Sequence, residues 1–267
     1  MRVLVIGDVV GKPGRQALRE RLPQLRHKTG ADFVVANGEN AADGFGIGPK
    51  HVDELCAAGV DLITTGDHVW DRRELIPMLQ VDARVLRPSN YPPGVTGRGS
   101  AVASTAGGLK LAVLNLQGRV FMFKQILDDP FRHAKSEIAR LKNETPVVIV
   151  DFHAEATSEK VALGRYLDGE VSAVIGTHTH VQTADERILA KGTGYLTDVG
   201  MTGPVESVIG LDQERVLARF IFQTAPRWEV ARGPVQICAV LLELDEKTGL
   251  SSAITRIHEV FDLSPAS

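Results

Sequence analysis

Short apolar runs recur along the chain, each closed by polar residues and followed by a stretch with helix-like spacing. Residues 3–6, 33–36, 62–65, 111–114, 147–150 and 171–175 are continuous and rich in β-branched side chains, which predicts strands buried on both faces. Between them the spacing predicts helices over 14–27, 49–58, 72–79, 131–142 and 158–166. Pro49 suits a first helical turn and Gly59 a C-terminal stop. Strand and helix alternating at this interval argue for a layered α/β arrangement with helices on both faces of a sheet. The tail differs: 235–244, a polar turn at 245–249 and 252–261 read as a long antiparallel hairpin. A mixed sheet, or two stacked sheets between helical layers, is therefore expected. With no repeat or linker in view, one domain over 1–267 is expected.

The polar residues that close the runs carry the chemistry. The first run ends Gly7-Asp8, the second Asn37-Gly38-Glu39-Asn40, the third Gly66-Asp67-His68, the fifth Asp151-Phe152-His153, and the sixth Gly176-Thr177-His178-Thr179-His180. In an extended segment residues two apart point the same way, so His178 and His180 should project together. Ligands of open α/β sheets bind at the carboxyl ends of strands. Each residue has a plain alternative: Asp8, Asn40 and Asp67 could cap turns or a helix, and a lone His68 or His153 could be structural. Five strand ends failing in the same polar direction are hard to produce by capping, and a metal site is expected. The rim offers at least seven donors against the four of one tetrahedral ion, which suggests two ions bridged by Glu39 or Asp8. Mixed imidazole, carboxylate and amide donors favour iron, manganese or zinc over calcium or magnesium. Such a pair clamps in-line displacement at phosphorus, with an acidified water as nucleophile.

Composition narrows the partners. The chain has 267 residues, 43% hydrophobic and 24% charged, with a formal net charge of −3, and no global basic field points to nucleic acid. Cys56 and Cys238 lie in apolar stretches, which predicts buried reduced thiols in the cytoplasm rather than a disulfide frame. No apolar run approaches the ~18 residues of a membrane span. Gly44-x-Gly46-x-Gly48 lacks the dinucleotide-binding spacing and is read as a tight backbone passage. The basic and aromatic segment 118–124 is expected to pack on its own core or at a subunit interface, which leaves room for a homo-oligomer. The alternative is a lid with Arg119 or Lys124 on phosphate. Asp198 either lies behind the ligands or caps a turn, and Glu155 and Lys160 receive no role.

Gly7-Asp8-Val9-Val10-Gly11, Asn37-Gly38-Glu39-Asn40, Gly66-Asp67-His68, the block from Asp151 to Lys160, 176–185 and Thr197-Asp198-Val199-Gly200 together resemble the YmdB-like branch of the calcineurin-like metallophosphoesterases. The resemblance spans nearly the whole chain. It implies a four-layer α/β sandwich, mixed sheets flanked by helices, and a binuclear metal-dependent phosphodiesterase acting on 2′,3′- or 3′,5′-cyclic nucleotides in bacterial signalling. It further implies Asp8, Asn40 and His180 on one metal, Asp67, His153 and His178 on the other, Glu39 bridging, and His68 as proton donor to the leaving group. The implied ions are iron or manganese, with zinc as the further option. Alternatives are a broader phosphomonoesterase or nuclease with the same metals, or a non-catalytic metal-dependent binding protein. One position departs from the family, which usually has Asn where this chain has Asp67. The added charge should tighten metal binding and weaken attraction for an anionic substrate.

Overall fold

The computed structural model describes residues 1–224 and 227–264. Two β-sheets lie face to face, each covered on its outer side by helices. In the first sheet β1 (Arg2–Ile6), β3 (Phe33–Asn37) and β4 (Leu62–Thr64) run parallel. The long β12 (Val235–Leu244) lies antiparallel beside β1 through one half and beside β11 (Met201–Pro204) through the other. β13 (Ser251–Phe261) closes the far side of β12, and the short β2 (Asp8–Val9) pairs with β11. The second sheet has the order β5 (Ser100–Ser104), β6 (Lys110–Gln117), β7 (Val148–His153), β8 (Ala173–Thr177), β10 (Gly194–Leu196) and β9 (Arg187–Ile188), with β6, β7, β8 and β10 parallel.

The four layers follow from the period of two along buried strands. Val3, Val5, Phe33 and Val35 face Val113, Ile149, Ala173 and Ile175 across the middle of the sandwich. The alternating set Leu4, Ile6, Val34 and Ala36 points outward onto α1 (Gly11–Thr29) and α2 (Pro49–Ala58) through Leu18, Leu22 and Leu55. On the opposite flank Leu114, Val148 and Val150 meet Ile138 and Leu141 of α4 (Pro130–Leu141) and Leu163 of α5 (Thr157–Tyr166). Both strand faces being covered is why these runs show no apolar–polar alternation. The expected sandwich of two mixed sheets between helical layers is therefore present.

The helix over 49–58 and the terminal hairpin are as expected, and Gly59 ends α2 with φ 110° while its amide bonds the carbonyls of Leu55 and Cys56. α1 begins three residues earlier than the spacing suggests, and the helix expected over 72–79 is a 3₁₀ turn, Arg73–Leu75, followed by α3 (Ile76–Val81). β2, β5, β9 and β11 and the helix α6 (Gln213–Phe222) went unread. Cys238 is buried as expected; Cys56 is only half-buried, and both thiols are free. No helix among the described residues is long and apolar enough to cross a membrane.

Candidate metal centre

Because β1, β3 and β4 run parallel in one sheet and β6, β7 and β8 in the other, their carboxyl ends open on a common rim. Asp8 comes two residues after β1, Glu39 and Asn40 follow β3, Asp67 and His68 follow β4, His153 ends β7, and His178 and His180 follow β8. The two sheets touch here, with Asn37 Nδ2 lying 3.4 Å from His153 Nδ1 and 3.5 Å from Thr177 Oγ1.

Glu39, Asp67, His153 and His178 each present a donor atom within 4.8 Å of all the others. His153 Nε2 is the focus, 3.1 Å from Glu39 Oε1, 3.3 Å from Asp67 Oδ1 and 3.0 Å from His178 Nδ1. Asp8, Asn40 and His180 form an adjoining group. Asn40 Nδ2 lies 3.0 Å from His180 Nε2, 3.3 Å from Glu39 Oε1 and 3.5 Å from Asp8 Oδ1. Glu39 thus contacts both groups. A half-turn of the Asn40 amide would present its oxygen to the same neighbours, the orientation a cation requires.

The two histidines of the 176–180 segment do not project together from an extended strand. β8 ends at Thr177, and His178 and His180 both take positive φ, 101° and 65°. The alternation behind the sequence expectation stops there, and the rings turn to different groups. Both rings are gripped from behind. His180 Nδ1 donates to the Ile209 carbonyl at 2.8 Å, and His178 Nε2 lies 3.1 Å from the Glu155 carboxylate. His153 Nδ1 lies 3.0 Å from Thr177 Oγ1, which donates to the buried Asp151. Such outer contacts fix which ring nitrogen faces inward.

The electrostatics favour a cation. Burial, only partly offset by His180 and His153, pushes the Asp8 carboxyl up to about 6. Burial also acts on Glu39 and Asp67, but the charge and hydrogen bonding of His153 outweigh it and hold both below the ordinary carboxylate range. His153 itself is raised well above its usual value, because Glu39 and Asp67 overcome the burial that opposes its charge. Burial and the neighbouring charge of His153 lower His178 to about 4. Among the described residues, Asp8, Glu39 and Asp67 have only histidines within ion-pair distance, and no Lys or Arg. Three acidic groups in a largely buried rim, faced by imidazoles and an amide, fit divalent metal ions.

His68 stands at the mouth. Its Nδ1 lies 2.7 Å from Asp71 Oδ2 and 2.8 Å from Lys124 Nζ, while Nε2 lies 3.8 Å from Asp67 Oδ2. Phe45 packs edge-on at 5.1 Å between ring centroids. The cleft of about 280 Å³ is lined by Glu39 and His178 of one group, Asn40 and His180 of the other, and by Val10, Phe45, Ile209 and Leu211. Segment 118–124 only partly packs on its own core: Met122 is buried, but Phe121 and Phe123 are exposed. Lys124 reaches the site, whereas Arg119 pairs with Asp129 away from it. Asp198, expected behind the ligands or as a turn cap, forms a buried pair with Lys160; Lys160 and Glu155, which lies behind His178, had received no role. Only the mid-helix position of Lys160, among residues that turned out buried, hinted at one.

A family model described as YmdB-like protein matches residues 4–257. A relative 48% identical over 257 residues, covering 96% of each chain, is the 2′,3′-cyclic-nucleotide 2′-phosphodiesterase of Bacillus subtilis (strain 168). A solved structure of a hypothetical protein from Thermus thermophilus is 44% identical, with a TM-score of 0.90 over 99% of this chain and 100% of its own. Another, titled a novel phosphatase from Mycoplasma pneumoniae, is 36% identical, with a TM-score of 0.91 over 99% and 95%.

Proposed function

The chain belongs to the YmdB-like protein family, and on that premise we propose that it is a metal-dependent phosphoric diester hydrolase whose substrates are 2′,3′-cyclic nucleotides. The observation that carries the reading is the convergence on His153 Nε2 of Glu39, Asp67 and His178, beside the Asp8, Asn40 and His180 group. Asp67, His153 and His178 would hold one ion and Asp8, Asn40 and His180 the other, with Glu39 shared. His178 and His180 would thus serve different ions. The ions would supply Lewis acidity toward the phosphoryl oxygens and an acidified water.

The remaining work falls to the chain. Asp71 holds His68 by Nδ1, which leaves Nε2 toward the cleft. In hydrolysis the water oxygen bonds to phosphorus, the P–O2′ bond breaks, and His68 Nε2 gives a proton to the departing ribose oxygen. An alkoxide leaves poorly, so this general-acid help lowers the barrier. Phe45, Ile209 and Leu211 offer an apolar wall on which a nucleobase can rest. The family match over 4–257 and the shared core between the sheets support a single metallophosphoesterase domain.

A substrate panel tests this. Metal-reconstituted protein is offered 2′,3′-cyclic AMP, 3′,5′-cyclic AMP, an aryl phosphate monoester and a short RNA. Fastest turnover of 2′,3′-cyclic AMP to the 3′-monophosphate is expected. Faster turnover of the monoester or the RNA would overturn the substrate class, and tight binding without product would overturn the enzyme.

A further inference from the structure

The segment that carries His178 and His180 is strained, and something must hold it. Two non-glycine residues at positive φ within three positions are costly, and such geometry persists only where surrounding contacts over-determine it. The residue between them, Thr179, is held twice by one carboxylate: its amide donates to Asp198 Oδ2 at 3.1 Å and its hydroxyl at 2.7 Å. The other oxygen of Asp198 accepts the Gly200 amide at 2.8 Å, and the Gly200 carbonyl accepts the amide of Asp8 at 3.0 Å. Asp8 closes the circuit by accepting the His178 amide at 3.2 Å. Asp198 therefore ties the end of β8 in one sheet to the end of β1 in the other.

Its charge is balanced from an unexpected quarter. Lys160 of α5 reaches under the segment and donates to Asp198 Oδ2 at 2.6 Å, with both side chains 1% exposed. Buried ion pairs are weak evidence for stability, since apolar replacements of similar volume are often as stable. A carboxylate in this place is explained instead by the donors it collects: an amide and a hydroxyl from Thr179 and an amide from Gly200. The strands leave no slack around it. A Cβ on Gly176 would lie 1.8 Å from the Thr197 carbonyl oxygen, and one on Gly7 2.0 Å from that of Gly200.

We propose that Asp198, charge-balanced by Lys160, is the positioning residue that locks the His178-Thr179-His180 turn against the Asp8 strand end, so that it sets the rim's grip on its ions without touching them. The proposal rests on the metal reading above for its consequence, but its geometry can be tested without metal.

The test uses full-length, metal-stripped protein and the variants Asp198→Asn/Lys160→Met and Thr179→Ala. The double variant removes both charges together, so that no buried ammonium is left unpaired. Three readouts are taken: the melting temperature, hydrogen exchange of the 177–181 amides, and the affinity for Mn²⁺. The double variant is expected to melt cooperatively, with exchange of 177–181 faster and Mn²⁺ affinity weaker by about tenfold or more. Thr179→Ala, which deletes one of the two contacts, should move both local readouts in the same direction by less. It decides between the outcomes if the double variant does not fold. Lys160→Arg, which keeps the charge, should restore wild-type exchange. Unchanged exchange and Mn²⁺ affinity in the double variant, or in Thr179→Ala if only that one folds, would overturn the proposal. Wild-type protein that binds no Mn²⁺ would count against the metal reading, and the exchange data would then decide this one.

Discussion

At the scale of single residues, His68 and Asp67 stand side by side, and the proposed reaction gives them different roles. His68 is held by the ring nitrogen that faces away from the cleft, through Asp71 and Lys124. Replacing it with Ala should lower kcat about 10²–10⁴-fold, the usual worth of a positioned proton donor. Elemental analysis should find the metal content retained; metal lost together with the rate would make His68 a ligand instead. Asp67 adds a charge where the family resemblance implies an amide. Asp67→Asn should weaken Mn²⁺ binding about tenfold and lower KM for an anionic diester, because the rim becomes one charge more positive. A metal titration and a KM that both match wild type would defeat this argument. The residues that meet at the rim were legible in the sequence because their side-chain types are diagnostic and each closes an apolar run. The roles of Glu155 and Lys160, and the partner of Asp198, were not. Asp198 lies 38 positions from Lys160, and no local pattern records so distant a contact.

At the scale of elements, α2 carries a pH-sensitive cap. His51, at its third position, accepts the Gly48 amide on Nδ1 at 3.0 Å, which requires a neutral ring. Burial, helped by the charges of Arg15 and Lys50, lowers its pKa to about 4. In the unfolded chain the ring takes a proton near 6.5. Between those values the unfolded state binds more protons, so this contribution is fully present above pH 6.5 and is lost as pH falls toward 4. Urea unfolding of metal-stripped protein should show about 1 kcal/mol lost between pH 7 and pH 5 beyond any loss in His51→Gln, a figure discounted for the solvent near the ring. Equal losses in the two proteins would remove His51 as the cause. The elements that went unread are mostly those with the least to read. β2 and β9 have two residues, and β11 has four that include Gly and Pro, so period and propensity have no length over which to accumulate.

At the scale of the whole molecule, ions would bind only the folded protein, because the seven donors come from five strand ends spread between Asp8 and His180. Saturating a site at about a thousand times its Kd adds about 4 kcal/mol of stability, which for a chain of this length raises the melting temperature by about 10 °C. Adding Mn²⁺ to stripped protein should produce a rise of that order, and chelation should reverse it. No shift with Mn²⁺, Fe²⁺ or Zn²⁺ would contradict a resident metal. The chain's own pattern determined the buried strands at the heart of both sheets, the helices that cover them, and the chemical character of the residues that close each run. Those are local properties, written in side-chain type and in spacings of two and three to four residues. Which residues meet is written in no local pattern: the family resemblance implied a grouping, and the tertiary structure brings it about. His178 and His180 are neighbours in sequence on a segment expected to be extended, yet backbone strain at both positions turns their rings to different groups. That turn is held by the Asp198 carboxylate from further along the chain and by Lys160 from further back, contacts that exist only once two sheets have closed on one another.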